Sequence, residues 1–179
     1  MRLAVEVVRG DITTQRVDAV VNAANRAMRG GGGVDGAIHR KGGPEILAEC
    51  RDLRASQYGG GLRVGQAVAT TAGRLPARWV VHTVGPVFSA SEDRSELLAD
   101  CHRNALRVAA ELRARSVAFP AISTGVYRWP MESAAEIALG TVASVLAEQP
   151  FDIVRFVLHG KQAFDVFSAE AARRGLIAS

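Results

Sequence analysis

Two short runs near the C-terminus restrict the possible folds most sharply. Residues 117–119 and 153–158 are almost continuously apolar. Strands of that kind are stable when helices cover both faces of the sheet they join. The rest of the chain fits such a sandwich. Apolar runs bounded by turn residues predict strands over 3–8, 19–22, 67–71, 79–83, 116–120 and 153–158. Amphipathic stretches between them predict helices over 33–41, 44–53, 95–113, 131–148 and 162–174. Leu98, Cys101, Ala105, Val108 and Leu112 form one stripe at three- and four-residue steps. Pro130 before Met131, with Glu132 in the first turn, marks a helix start. Alternating strands and helices predict an α/β fold with helices on both sides of a mixed sheet. The short separation of 67–71 from 79–83 allows one antiparallel pair.

Composition excludes several classes. A length of 179 residues suits one domain, and 48% hydrophobic with 22% charged residues is globular rather than disordered. No apolar run is long enough to span a bilayer. Residues 1–10 alternate apolar and polar and read as a first strand rather than a signal peptide. Cys50 and Cys101 fall in helical segments without a partner at ligand spacing, so a disulfide framework and a zinc finger are not expected, and a reducing cytoplasm is. The net charge is +4, and twenty of the 22 cations are arginine. Residues 1–90 hold 12 Lys and Arg against 7 Asp and Glu. The arginines are dispersed along the chain, so a nucleic-acid interface is not expected, and a solvated surface is the reading.

Ligands of such sheets bind outside the carboxyl ends of the strands. Three loops there are unusual. Gly10-Asp11-Ile12-Thr13 follows the first strand, and its aspartate can accept from an amine or form a local turn. Asn22-Ala23-Ala24-Asn25 leads to four glycines, Gly30 to Gly33, and then to Val34, Asp35 and His39. Four glycines before a helix cost backbone entropy, and they let a backbone approach an anion at the helix N-terminus. No Gly-Lys-Ser/Thr ends the run, so it is not a Walker loop. The third loop, residues 120–130, offers Ser123, Thr124 and Gly125 to phosphate and the flat faces of Tyr127 and Trp129 to a sugar or base. Together the loops describe a pocket for a diphosphate bearing sugars. His82, inside an apolar strand, reads as a core histidine, and His102, on a helix of mixed character, reads as a surface one.

These residues resemble the macrodomain family, and within it the MacroD-type ADP-ribosylhydrolases. The matching stretches are 10–13, 21–25, 30–43, 75–86 and 119–130, in the same order, and the resemblance runs from Leu3 to about Leu176. It implies a single macrodomain over 1–179, with a three-layer α/β/α fold around a mixed sheet of about six strands. It implies ADP-ribose as ligand and no cofactor or metal. Asp11 would hold the adenine amine with Ile12 beside it. Asn22 would be among the ligand contacts, and Asn25 would bond the distal ribose. Gly32, Gly33 and Val34 would form the first phosphate loop, and Ser123, Thr124, Gly125 and Val126 the second. Tyr127 would pack on the distal ribose, and His159 would take the place of the aromatic that stacks on adenine. Asn25, Asp35 and His39 would be the catalytic set.

The implied function is removal of mono-ADP-ribose from Asp and Glu side chains of proteins, and deacetylation of O-acetyl-ADP-ribose. The alternative is a reader that binds ADP-ribose without turnover. The catalytic set decides for the hydrolase, since a reader has no need of it. The implied partners are ADP-ribose and ADP-ribosylated proteins, with the chain acting as a monomer. Arg128 and Trp129 depart from the family pattern, Arg128 standing where a glycine is common and Trp129 where the aromatic is smaller. The zinc-dependent branch is disfavoured because no His, Cys or carboxylate pair has zinc spacing.

Overall fold

A computed structural model of the protein describes residues 3–177. Six strands form one sheet: β1 (Val5–Arg9), β2 (Ala19–Ala23), β3 (Ala67–Thr71), β4 (Trp79–Thr83), β5 (Ser116–Phe119) and β6 (Ile153–Leu158). Their order is β1-β6-β5-β2-β4-β3. All neighbouring pairs are parallel except β3 with β4, the antiparallel pair the short connection allowed. The helices are α1 (Gly33–Gly42), α2 (Pro44–Ala55), α3 (Ser95–Glu111), α4 (Met131–Glu148) and α5 (Lys161–Arg173).

Strand alternation divides the apolar residues between two cores. Val21, Val117, Phe119, Val154 and Phe156 point to the side covered by α3, α4 and α5. Val20, Val80, Ala118 and Val157 point to the side covered by α1 and α2, against Ile38, Ile46 and Cys50. The three-layer α/β/α arrangement follows from these two sets. Arg155 interrupts the apolar run of β6, and Glu6 on β1 neutralises it at 2.9 Å. Pro120, placed at the end of a strand by the sequence reading, lies outside the ladder because proline has no amide hydrogen to donate.

His102 is not on the surface. It is 1% exposed, packed 5.3 Å from the Phe119 ring, and its Nδ1–H donates to the Leu98 carbonyl at 2.9 Å. The α3 stripe is wider than the three- and four-residue steps indicated, because the helix is covered by both the sheet and α4.

Candidate functional site

The parallel strands place the loops after β1, β2, β5 and β6 at one edge of the sheet. Arg9 pairs with Leu158, so Asp11 and His159 leave the sheet side by side. Asp11 caps a short helical turn, Ile12–Thr14. Its Oδ1 accepts from the Thr13 amide at 2.9 Å and the Thr13 hydroxyl at 2.6 Å. The local turn is therefore real, and it leaves Oδ2 for another donor. The hydroxyl and amide of Thr13 hold the Asp11 carboxyl below the ordinary carboxylate range, helped by the charges of Lys41 and His159. Asp11 and His159 are both exposed, and Ile12 is buried at the base of the turn.

Asp35 occupies the first turn of α1, where the helix dipole favours a negative charge, and it is 6% exposed. Its Oδ1 receives the Asn22 amide at 2.8 Å and faces His39 Nε2 at 3.3 Å. His39 is thus one turn along on the same side, as the spacing indicated. Asn22 was expected among the ligand contacts, and the structure turns its side chain inward. It is fully buried, and its second amide hydrogen goes to His82 Nδ1 at 3.1 Å. His82 Nε2–H in turn donates to Thr70 Oγ1 at 2.8 Å, whose own hydroxyl donates to the Thr71 carbonyl. This donor sequence requires a neutral His82, and burial pushes its pKa down to about 3. A buried chain from β3 through β4 and β2 therefore clamps one oxygen of Asp35 and leaves the other free. Nothing in the residue spacing revealed the Thr70–His82–Asn22 chain, since its members come from three strands.

Asp35 Oδ2 and Asn25 Nδ2 border one gap. A Cβ built on Gly31 would stand 3.3 Å from Asp35 Oδ2 and 3.6 Å from Asn25 Nδ2, so glycine keeps that gap open. Asn25 is itself held by the turn, donating to the Gly30 carbonyl at 2.9 Å. Gly36 seats the glycine run on the helix, because a Cβ there would fall 2.3 Å from the Gly31 carbonyl oxygen. Gly32 caps α1 without a side chain, and the first-turn amides of Gly33 and Val34 precede the helix's own ladder.

The loop after β5 leaves the same end of the sheet beside the loop after β2, since the two strands pair in parallel. Ser123 is buried in the left-handed region at φ 68°, and its Oγ has no protein partner. Thr124 bonds the Ala121 carbonyl through its hydroxyl at 2.8 Å, and Gly125 and Val126 are exposed at the tip. Tyr127 is half-buried. Arg128 adopts φ 62°, a conformation in which glycine is least strained. Trp129 offers no face to a ligand: it is 4% exposed, lies edge-on to Phe88 at 5.4 Å and donates its indole N–H to Ser133.

Burial disfavours the thiolate of both cysteines, pushing Cys50 up to about 12 and Cys101 up to about 11. Among the described residues, no three His, Cys, Asp or Glu side chains are grouped to hold a metal ion. No helix among them is long and apolar enough to cross a membrane.

The family model of the Macro domain matches residues 21–138. The chain belongs to the macrodomain family. A macro domain-containing protein of Streptomyces griseus is 65% identical over 170 residues, covering 95% of this macrodomain and 96% of the relative. A Klebsiella pneumoniae protein named O-acetyl-ADP-ribose deacetylase is 50% identical, covering 100% and 99%. The Oceanobacillus iheyensis macrodomain, solved with ADP, superposes with a TM-score of 0.92 at 41% identity, covering 95% of this macrodomain and 90% of that chain. The mixed six-stranded sheet of this macrodomain is that of its solved relatives.

Proposed function

We propose that this macrodomain binds ADP-ribose and hydrolyses the ester joining it to a carboxylate, both on Asp and Glu side chains of proteins and in O-acetyl-ADP-ribose. One observation carries the reading. Asp35 is buried and clamped through Oδ1, and its Oδ2 borders the gap shared with Asn25. A carboxylate fixed in that way can hold and polarise a water. The name of the Klebsiella relative and the ADP in the Oceanobacillus structure support the ligand.

The proposed placement follows the loops. Asp11 Oδ2 accepts from the adenine amine, Ile12 lies beside the base and His159 stacks on it. The amides of Gly32, Gly33 and Val34 at the start of α1 receive one phosphate, and Ser123 to Val126 receive the other. Tyr127 packs on the distal ribose, and Asn25 bonds it. Water held by Asp35 adds across the ester, and the products are ADP-ribose and a free carboxylate. A carboxylate leaves readily, so the site needs little acid help and does its work by positioning. His39 holds Asp35 from the helix side, and Asn22 holds it from the sheet. The macrodomain acts in the cytoplasm, as a monomer.

Incubation with a peptide carrying one glutamate-linked ADP-ribose tests this. Stoichiometric ADP-ribose and unmodified peptide are expected. Binding of ADP-ribose with no turnover of either ester would instead make the protein a reader.

The adenine end is tested separately. Asp11→Ala is expected to weaken ADP-ribose binding roughly 10- to 100-fold, the effect of losing a hydrogen bond to a charged group. His159→Ala is expected to cost less, near the lower end of what one base–aromatic stack contributes. Calorimetry showing wild-type affinity in Asp11→Ala would remove Asp11 from the site.

A further inference from the structure

The arginines are dispersed in the sequence, and the fold gathers five of them. A cleft of about 450 Å³ lies between the turn that follows Asn25 and one face of α2, and Arg29, Arg51 and Arg54 line it over Met28 and Leu47. A second concavity of about 350 Å³ adds Arg26 and Arg63. No acidic side chain lines either one. Arg26, Arg29, Arg51 and Arg63 make no ion pair among the described residues, and Arg54 donates through Nη1 to the carbonyls of Tyr58 and Gly59.

Helix α2 separates its charges by face. Leu47, Arg51 and Arg54 recur at four- and three-residue steps and face the cleft. Glu45, Glu49 and Asp52 recur at the same steps on another face, and Glu49 accepts from the Thr71 amide of β3. A helix face that merely keeps the protein in solution has no reason to sort the two signs.

The cleft is joined to the ester site by one turn. Asn25 accepts from the Arg29 amide through Oδ1 at 3.4 Å and from the Met28 amide through its carbonyl at 3.1 Å. Met28 forms the cleft floor, is 2% exposed and adopts φ 54° in the left-handed region. The segment that places Asn25 by the reacting bond therefore also shapes the basic cleft.

On the reading that this protein cleaves esters on protein carboxylates, we infer that the cleft binds the acidic peptide segment flanking the modified residue. The modified side chain belongs to a polypeptide that must leave the site past one of its walls. The wall after β5 ends in Val126, which is 90% exposed and apolar. The segment after β2 continues, through the turn that holds Asn25, into an arginine-lined cleft with no acidic lining residue. Its apolar floor suits the methylenes of glutamate, and its forked guanidinium rims suit carboxylates. No aromatic side chain lines the 450 Å³ cleft and only Tyr58 lines the second concavity, so successive bases would find no series of stacking faces, which favours a peptide over a nucleic acid.

The test uses Arg51→Glu and Arg63→Glu, one on each concavity and neither in contact with Asn25 or Asp35. Three substrates are compared: a glutamate-linked peptide flanked by glutamates, one flanked by serines, and O-acetyl-ADP-ribose. In wild type, the acidic peptide should show the highest kcat/KM, falling with added salt. Each variant should lose about 5- to 10-fold on that peptide through KM, the scale of reversing one exposed ion pair. The same variants should keep wild-type rates on the serine-flanked peptide and on O-acetyl-ADP-ribose. Equal wild-type rates on the two peptides would overturn the inference. If O-acetyl-ADP-ribose is cleaved and neither peptide is, the protein-substrate reading fails on its own. Fluorescence anisotropy of an unmodified glutamate-rich peptide then decides the cleft: binding lost in both variants sustains it, and no binding, or tighter binding of a single-stranded oligonucleotide of equal charge, overturns it.

Discussion

Asp35→Ala is expected to lose roughly 10²- to 10⁴-fold in ester turnover, the range that a positioned acid–base group contributes. ADP-ribose affinity should stay the same or rise slightly. The carboxylate approaches a ligand that is itself an anion, so removing it removes repulsion as well as any contact. Asp35→Asn separates charge from shape. An asparagine oxygen still accepts from Asn22, so the loop holds its place, and turnover should fall nearly as far as in the alanine variant. Asn22→Ala should also lower turnover while leaving the phosphate loops intact, because it frees the Asp35 oxygen it clamps at 2.8 Å. Product formation followed by chromatography, with calorimetric titration of ADP-ribose, checks all three. Wild-type turnover in Asp35→Asn would show that the ligand's own phosphate orients the water.

Acid is expected to destabilise the fold well before its carboxylates protonate. Burial lowers the pKa of His82 to about 3 and that of His102 to about 4. The unfolded chain takes up these protons near pH 6.5. Below that pH the unfolded state binds protons that the folded state refuses, so stability falls as pH falls. The contribution is whole above about pH 7 and is lost progressively as pH falls, to about 4 for His102 and about 3 for His82. At pH 4.5 the two histidines together cost about 5 kcal/mol, comparable with the whole stability of an ordinary domain. Urea unfolding at pH 7, 5.5 and 4.5 should show this loss, and His102→Leu should shed about half of the pH dependence. A flat profile between pH 7 and 4.5 would contradict the two burials. Asp11, whose carboxyl is held low by Thr13, acts below this window.

The sheet was legible because its strands carry their burial in their own composition. Residues 117–119 and 153–158 are apolar at every or nearly every position, and both faces of each are covered in the fold. The meeting of Asp35 and His39 was legible for a similar reason. Glycines at 30–33 followed by Asp35 and His39 are local features, and local geometry brings Asp35 and His39 to 3.3 Å. What escaped depends on contacts between distant segments. Asn22 was expected among the ligand contacts from the resemblance, yet its partner His82 lies 60 residues away and turns it inward. His102 looked exposed because polar neighbours flank it on α3, yet the sheet supplies Phe119 and Phe156 to cover it. Trp129 looked like a platform, and Phe88 and Ser133 take it into the core. The gathered arginines come from the turn after β2, from α2 and from the segment before β3, and no window of sequence holds all three.

The most direct test compares one peptide modified in two ways, through a glutamate ester and through a serine ether, by mass spectrometry with and without the protein. A site that positions water but offers little acid help can expel a carboxylate, whereas an alkoxide leaves far less readily. Complete release of ADP-ribose from the glutamate-linked peptide is expected, with none from it with Asp35→Asn over the same time and an intact serine-linked peptide throughout. Retention of both modifications by a protein that still binds ADP-ribose, or equal loss of both, would contradict this mechanism.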